Sequence, residues 1–282
     1  MTVIRSPRQM ASRALQWQRR GRRIGLVPTM GALHEGHLSL IRRAASRNDV
    51  VIVTIFVNPL QFGPREDFAR YPRPFARDVR LAREAGATLV FAPSARDMYP
   101  PGFQTSVEVG ALARRWEGQA RPGHFRGVAT VVAMLFELTR PTDAYFGQKD
   151  YQQALIIRGL VVDLRLPVRV HVMPTVREPD GLAMSSRNAY LNAAQRRSAA
   201  ALYHALLAAR RLIRRGERRG RAVVGEMRRL IAAAPRARLE YAAVAEADTL
   251  APCARLRGRV VLLLAVRVGR TRLIDNLLVG VS

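Results

Sequence analysis

Runs of β-branched and apolar residues alternate with helical stretches in the first part of this sequence, and that alternation constrains the fold most. The run at 50–57 is uninterrupted, as expected for a parallel strand buried on both faces. Residues 35–47 place Leu38 and Ile41 on one helical face. Strand–helix alternation of this kind predicts an α/β fold with a doubly wound parallel sheet. Ligands of such sheets bind beyond the carboxyl ends of the strands.

The same patterns predict the remaining elements. Further strands are expected at 24–27, 88–92, 143–146 and 168–172, and helices at 78–85, 128–138 and 150–164. After residue 177 the pattern changes to helices at 193–215 and 222–234, followed by strand-like runs at 239–244, 260–268 and 272–279. We therefore expect an α/β domain over residues 1–176 and a smaller C-terminal α+β domain over residues 177–282.

The length of 282 residues allows one large or two modest domains. The hydrophobic fraction of 49% is enough for a core of normal size. No apolar stretch reaches the roughly 18 residues of a membrane span, so none is expected. Residues 1–13 lack the apolar segment of a secretory signal. The only cysteine, Cys253, excludes a disulfide framework and a cysteine-based zinc site. A cytoplasmic location fits this cysteine usage.

The net charge of +26 raises nucleic acid as a partner. However, the arginines are spread along the chain, and the densest group, at 210–221, has few aromatic residues to stack on bases. A solvated basic face and an acidic partner both remain open for that group. Only one of the 47 basic residues is a lysine, Lys149. Its retention hints at a position where a compact ammonium is needed and a planar guanidinium would not serve.

The strongest chemical signal is the segment Pro-Thr-Met-Gly-Ala-Leu-His-Glu-Gly-His-Leu at 28–38, at a predicted strand-to-helix junction. Gly31 allows a sharp turn, and Gly36 leaves room for a phosphate. His34 and His37 face the same side of the helix, whose N-terminus attracts anions. Such a pair would donate hydrogen bonds to phosphate oxygens that gain charge. The alternatives are a metal pair, which lacks a nearby third ligand, or two unrelated surface histidines.

The segment Phe-Gly-Gln-Lys-Asp-Tyr-Gln-Gln at 146–153 also follows a strand and opens a helix. Lys149 would contact a phosphate, and Gln153 would bind a hydroxy acid through its amide. Helix capping by Asp150 beside a solvated Lys149 is an equally good interpretation.

Two more segments have weaker signals. In residues 176–188, Ser185 and the neighbouring Ser186 and Arg187 would hold phosphates, or a serine would simply cap the next helix. In residues 56–63, Gln61 would lie at the ligand edge of the sheet. The alternative there is a plain strand-ending turn, to which the Asn-Pro pair is suited.

These four segments, in this order and at this spacing, resemble the pantothenate synthetase family. Further matches at 66–73, 121–128 and 271–276 extend the resemblance over essentially the whole chain. It implies a Rossmann-like domain of the nucleotidyltransferase superfamily, a smaller C-terminal lid domain and a homodimer. It also implies ATP-dependent condensation of (R)-pantoate with β-alanine, giving pantothenate, AMP and pyrophosphate through a pantoyl adenylate. Mg²⁺ would be carried mainly by the nucleotide, with no separate protein metal site.

The resemblance implies roles for individual residues. His37, as proton donor, would be catalytic together with His34 and Lys149. Gln61 and Gln153 would bind pantoate, with Gln61 also near β-alanine. The residues that match ATP-contacting positions are Met30, Gly31, Ala32, Leu33, His34, Glu35, Gly36, His37, Gly147, Gln148, Lys149, Asp150, Val176, Met184, Ser185, Ser186 and Arg187.

Two other classes of protein are alternatives. One is another nucleotidyltransferase that acts on a phosphorylated substrate, against which the segments around Gln61 and Gln153 argue. The other is a basic nucleic-acid-binding protein. We expect no specific nucleic-acid partner. The salt dependence of nucleic-acid affinity distinguishes the two classes, because a steep dependence without sequence preference would indicate binding through bulk charge only.

Overall fold

The structure is a computed structural model that describes residues 1–64 and 66–281. The chain forms two compact units. The first contains Met1–Gln148 and Gln152–Pro174, and the second contains Lys149–Tyr151 and the chain from Thr175 onward. Lys149 therefore belongs to the second unit, although the chain on either side of Lys149–Tyr151 belongs to the first.

The first unit is built on six parallel strands in the order β1-β4-β3-β2-β5-β6. The strands are β1 (Thr2–Ile4), β2 (Ile24–Thr29), β3 (Val50–Ile55), β4 (Leu89–Phe91), β5 (Asp143–Gly147) and β6 (Arg169–Met173). The helices that accompany them are α1 (Pro7–Arg19), α2 (Glu35–Ala45), α3 (Phe75–Glu84), α4 (Ala95–Met98), α5 (Glu117–Ala120), α6 (His124–Thr139) and α7 (Tyr151–Asp163). The predicted α/β class is confirmed.

Alternating side chains of β3 enter two different hydrophobic cores. Val50 and Ile52 pack in the core that contains residues of α1, α6 and α7, whereas Val51 and Val53 pack in the core that contains residues of α2 and α3. All four are at most 5% exposed. The uninterrupted β-branched run therefore reflects burial on both faces, as the sequence predicts.

The strand order places a switch point between β2 and β5. From β2, the chain extends the sheet through β3 and β4 in one direction, and later through β5 and β6 in the other. Open parallel sheets bind ligands at such a point, beyond the carboxyl ends of the strands. The segments that follow Thr29 and Gly147 leave the sheet at this place.

The second unit has three antiparallel strands in the order β7-β8-β9, covered by helices. They are β7 (Ala237–Glu246), β8 (Gly258–Val268) and β9 (Thr271–Val281), with α8 (Ala193–Ala199), α9 (Ala201–Arg214) and α10 (Gly220–Ala232). Met227 and Ile231 of α10 are fully buried in the same core as Leu206 of α9 and Leu262 of β8. The predicted α+β class of this part is confirmed.

Two details differ from the sequence prediction. The helix expected at 193–215 is interrupted at Ala200, whose φ of −59° and ψ of −23° are still helical, so the apolar periodicity continues across the break. The strand expected to end before Pro28 continues to Thr29. It tolerates the proline because β5 pairs with β2 only at Gly25 and Leu26, which leaves β3 as the partner of β2 at Pro28.

The N-terminal strand β1 and helix α1 were not predicted from the sequence. Ser6 is the N-cap residue of α1, and its side chain accepts a hydrogen bond from the N–H of Gln9. Pro7 is the first residue of the helix. Within the described residues, no helix combines the length and apolar character needed to cross a membrane.

Candidate functional site at the carboxyl edge of the parallel sheet

The turn from β2 to α2 is held by the neighbouring strand. Thr29 donates its hydroxyl to the carbonyl of Thr54 at 2.5 Å, and its Oγ1 accepts from the N–H of Gly31 at 3.1 Å. Gly31 has a φ of +83°, and a Cβ there would meet Asp78 Oδ2 at 3.0 Å. The backbone conformation at this position therefore favours glycine, and a Cβ would also crowd the Asp78 carboxylate.

Asp78, in the first turn of α3, binds the same turn from the other side. Its two carboxylate oxygens accept from the N–H groups of Ala32 at 2.7 Å and Leu33 at 2.8 Å. Burial raises the pKa of Asp78, while these two N–H groups and the charge of Arg77 oppose the increase. Asp78 is completely buried and was not identified from the sequence as part of the site.

His34 and His37 lie at the start of α2, as predicted, with ring centroids 4.1 Å apart. His34 is the N-cap residue, and its main-chain N–H donates to His37 Nδ1 at 3.4 Å. Because Nδ1 of His37 accepts, the proton of the neutral ring is on Nε2. This tautomer makes His37 Nε2 a hydrogen-bond donor, beside a helix N-terminus whose first N–H groups attract anions.

Gln61 lies in a 3₁₀ turn that follows β3, at the same edge of the sheet. Its Nε2 donates to Met30 Sδ at 3.2 Å, and its Oε1 accepts from Asn58 Nδ2 at 3.0 Å. Asn58 is 1% exposed and is itself bound by the Tyr99 hydroxyl at 2.7 Å. The structure therefore brings together two residues predicted from separate segments, Met30 and Gln61.

The main-chain carbonyl of Gln61 is held by a second group of side chains. It accepts from His124 Nδ1 at 2.8 Å and from Arg121 at 3.1 Å. Arg121 also makes two hydrogen bonds to the carboxylate of Glu66, at 2.7 and 2.6 Å. Burial raises the pKa of Glu66, but hydrogen bonding and the charge of Arg121 outweigh it and lower the pKa overall.

His124 is neutral in this arrangement. The carbonyl of Gln61 accepts from Nδ1, and Arg121, which can only donate, lies 3.0 Å from Nε2. Nε2 must therefore be the unprotonated acceptor. Burial and the charge of Arg121 lower the pKa of His124 to about 4.

Two adjacent glutamines at the start of α7 have different environments. Gln152 is 4% exposed; it donates to the carbonyls of Leu112 and Arg115 and accepts from the N–H of Glu117. Gln153 is only partly buried. Gln152 thus has a structural role in securing the preceding loop, whereas the neighbouring side chain is the more accessible.

Several of the other predicted residues, namely Lys149, Asp150, Val176 and the segment 184–187, belong to the second unit. The Lys149 ammonium lies 3.3 Å from Asp150 Oδ1, and the Lys149 side chain is 21% exposed. The N–H of Met184 donates to the carbonyl of Val176 at 3.0 Å, which closes a turn between these two predicted positions. Ser185 caps the 3₁₀ helix Ser186–Tyr190 by accepting from the N–H of Arg187 at 3.3 Å. Gly147 and Gln148, at the end of β5, remain in the first unit.

A doubly wound parallel sheet, with a histidine pair at the first helix after its central strand, defines a nucleotidyltransferase-like α/β protein. The sequence profile of the family described as pantoate-beta-alanine ligase matches residues 2–278. The chain therefore belongs to the pantoate-beta-alanine ligase family and is a ligase, which confirms the resemblance inferred from its motifs.

Individual relatives agree with this assignment. A pantothenate synthetase from Moorella thermoacetica is 56% identical over 94% of this chain and 94% of its own length. The crystal structure of pantothenate synthetase from Thermus thermophilus has a TM-score of 0.93 at 46% identity and covers 98% of this chain and 99% of its own. Pantoate-beta-alanine ligase from Francisella tularensis, complexed with beta-gamma ATP and beta-alanine, has a TM-score of 0.80 at 36% identity, with 99% and 97% covered.

Proposed function

We propose that this chain uses ATP to condense (R)-pantoate with β-alanine, giving pantothenate, AMP and pyrophosphate through a pantoyl-adenylate intermediate. The observation that carries the proposal is the adjacent pair His34 and His37 at the N-terminus of α2, beside the switch point of the sheet. Membership of the ligase family and the relative complexed with beta-gamma ATP and beta-alanine support the choice of substrates.

The residues proposed to bind ATP are the segment from Met30 to His37, the segment from Gly147 to Asp150, Val176 and the segment from Met184 to Arg187. The N-terminus of α2 favours an anion because its first N–H groups and the helix dipole both point toward it.

Pantoate is proposed to bind Gln61 and Gln153, with β-alanine also near Gln61. Asn58 and the pair Arg121–His124 hold the amide oxygen and the main-chain carbonyl of Gln61. The amide Nε2, which contacts Met30 Sδ, is a donor suited to a hydroxyl or a carboxylate. A side chain held in this way loses little conformational entropy when it binds a ligand.

The chemistry needs no nucleophile from the protein. The pantoate carboxylate attacks the α-phosphorus of ATP, and pyrophosphate leaves with its electron pair. His37 Nε2–H, His34 and Lys149 stabilise the negative charge that develops on the transferring and leaving phosphates. The amine of β-alanine then attacks the acyl carbon, loses a proton and displaces AMP. Because the adenylate hydrolyses readily, the C-terminal unit is proposed to act as a lid that excludes water.

Mg²⁺ is proposed to arrive with the nucleotide. Among residues 1–64 and 66–281, no group of three or more His, Cys, Asp or Glu side chains is arranged to hold a metal ion. Mg²⁺ in such enzymes commonly binds substrate phosphates and water instead of an all-protein cage. We therefore assign this chain no metal ligands and derive no step from the ion.

A homodimer is also proposed. Strand β6 lies at one end of the sheet, and Val162 and Leu164, just before it in the chain, are 62% and 52% exposed. Sedimentation equilibrium tests this assembly, which a monomer at micromolar concentration would contradict. The cytoplasmic location remains a prediction from the sequence, and no specific nucleic-acid partner is proposed.

Exchange of labelled pyrophosphate into ATP tests the reaction. If adenylation precedes amine attack, exchange requires pantoate but proceeds without β-alanine. A panel of other carboxylic acids, including pantoate analogues without the hydroxyl groups, serves as the control for substrate choice. Exchange that needed both substrates would argue against a pantoyl adenylate. Exchange with an unrelated acid instead of pantoate would overturn the substrate assignment.

A further inference from the structure

Two consecutive polar residues of β9, Asp275 and Asn276, are almost completely buried, at 3% and 2% exposure. Neighbouring strand residues point to opposite faces, so burial of both is unusual for polar side chains. A buried polar group destabilises the fold unless it is hydrogen-bonded. The partners of these two side chains therefore indicate their role.

Asp275 holds Arg177 in one orientation. Its oxygens accept from the two terminal nitrogens of Arg177 at 2.6 and 2.9 Å. Arg177 also donates to the carbonyl of Gly181 at 3.0 Å, and its guanidinium lies 3.9 Å from the ring centroid of Tyr203. The guanidinium is thus fixed by an ion pair, a main-chain acceptor and an aromatic face. It secures the turn that leads into Met184.

Asn276 holds the main chain of Lys149. Its Nδ2 donates to the Lys149 carbonyl at 2.8 Å, and its own carbonyl accepts from Arg177 at 3.4 Å. In addition, the N–H of Asn276 donates to Asp275 Oδ1 at 2.8 Å. Lys149 and Arg177 are 28 positions apart in the chain, yet both are hydrogen-bonded to adjacent residues of β9.

The strand itself is a firm support. Strand β9 pairs with β8 continuously, from Val281 opposite Gly258 to Thr271 opposite Val268. A buried ion pair is often no more stabilising than apolar residues of the same volume, so stability alone is a weak explanation for Asp275 and Arg177. A role in holding the Lys149 main chain and the turn secured by Arg177 at fixed positions explains both Asp275 and Asn276.

We propose that Asp275 and Asn276 are positioning residues, which set Lys149 relative to the segment Met184–Arg187 so that both bind the phosphates of one ATP molecule. This inference rests on the proposed function, because it requires Lys149 to contact ATP. Neither residue touches the reacting atoms. They act through the main chain of Lys149 and through the turn that Arg177 secures.

The test uses the only lysine of the chain. Because Lys149 is the single lysine of the sequence, acylation of lysine side chains by an amine-directed reagent reports on one site. The concentration of ATP–Mg²⁺ that protects half of Lys149 from acylation is measured in the full chain and in Asn276→Asp. This substitution keeps the side-chain shape but replaces the donor by an anion facing the Lys149 carbonyl. Asn48→Ala is the control. Asn48 precedes β3, away from the carboxyl ends of the strands, and its side chain donates a hydrogen bond to the Tyr145 hydroxyl.

We expect Asn276→Asp to raise the half-protecting ATP concentration at least tenfold, and Asn48→Ala to leave it within twofold. In pyrophosphate exchange, the KM for ATP should rise by the same factor while the KM for pantoate stays within twofold. A purely structural role would not separate these two constants. A folded Asn276→Asp protein with unchanged protection overturns the inference alone. Absence of ATP protection in the unsubstituted chain would instead overturn the assignment of Lys149.

If Asn276→Asp does not fold, Asn276→Ala is measured in its place, because it removes the donor without adding a charge. Failure of both variants to fold would show that the residue serves the fold rather than the site, and would overturn the inference. In Asp275→Asn we expect a similar rise in the KM for ATP, since Arg177 loses the carboxyl group that accepts from both of its terminal nitrogens. An unchanged KM in that folded variant would remove Asp275 from the proposal.

Discussion

The carboxylate of Asp78 accepts a 2.7 Å hydrogen bond from the N–H of Ala32, a non-glycine residue with a φ of +50°. L-residues in this left-handed region are strained by roughly 1–2 kcal/mol, so the conformation persists only where the surroundings secure it. Asp78 supplies that restraint and also binds the next N–H, that of Leu33. It thereby fixes the turn that delivers His34 to the start of α2.

The first prediction is that Asp78→Asn lowers both stability and activity. An amide can accept from only one of the two N–H groups, and its NH₂ would face the other donor. A buried donor left without its acceptor costs about 1–3 kcal/mol. Urea unfolding should show this loss, and pyrophosphate exchange should fall in the folded fraction. Asp49→Asn, at an exposed carboxylate, is the control and should change stability by less than about 1 kcal/mol. Equal effects of the two substitutions would contradict the prediction.

The second prediction concerns the histidine pair. His37→Ala should lower the rate of adenylation by about 10²–10³, the scale for loss of one transition-state donor. His34→Ala should behave similarly, with a larger effect on ATP binding. The exposed His204 of α9 offers a matched control, and His204→Ala should retain the unsubstituted rate. Full activity of a correctly folded His37→Ala protein would remove that residue from the mechanism.

The third prediction compares two helical glycines. A Cβ on Gly127 of α6 would lie 2.3 Å from the carbonyl oxygen of Leu60, so Gly127→Ala must displace the turn that carries Gln61. We expect the KM for pantoate to rise at least tenfold, about 1.4 kcal/mol in binding. A Cβ on Gly225 of α10 meets nothing within 4 Å. Gly225→Ala should leave KM unchanged and stabilise the protein by about 0.5–1 kcal/mol. An unchanged KM in Gly127→Ala would show that the turn adapts.

The fourth prediction is a pH dependence of stability. The folded-state pKa of His124 is about 4, below its ordinary value of 6.5, so the unfolded chain binds the proton more tightly. Stability from this residue is therefore present above about pH 6.5 and is lost as the pH falls toward 4. Between pH 7 and pH 5 the expected loss is about 2 kcal/mol.

His124→Asn isolates that contribution, because the Asn amide does not titrate yet still offers a donor to the Gln61 carbonyl. The difference in unfolding free energy between the unsubstituted protein and this variant should shrink or reverse as the pH is lowered from 7 to 5. Parallel pH profiles of the two proteins would show that His124 is not held neutral by the fold.

The fifth prediction separates charge from geometry at Lys149. Lys149→Arg keeps the positive charge but brings a larger planar group with a different arrangement of donors. We expect adenylation to fall at least tenfold, about 1.4 kcal/mol of transition-state stabilisation. If Lys149 were only a surface residue, replacement by arginine should leave the rate unchanged. An unchanged rate in Lys149→Arg, together with acylation of Lys149 that ATP does not prevent, would exclude Lys149 from the nucleotide site.

The sequence alone determined the architecture and the family. The uninterrupted β-branched run of β3 and the apolar periodicity of α2 and α10 are local patterns, so the sequence alone predicts these elements. The same holds for the position of His34 and His37, because a strand, a turn and a helix in succession place both residues. The start of α1, although it was not predicted, also has a local signal in Ser6 and Pro7.

Only the tertiary structure decided what supports these residues. Asp78 lies 46 positions after Ala32, and Asn276 lies 127 positions after Lys149, so no periodicity or spacing connects them. His124 and Arg121 reach Gln61 across some 60 residues of chain. Hydrogen bonds of this kind form only when the packed sheet brings distant segments together. The sequence therefore specifies the chemical groups and their local frames, whereas the packing of distant segments decides which buried partners orient them.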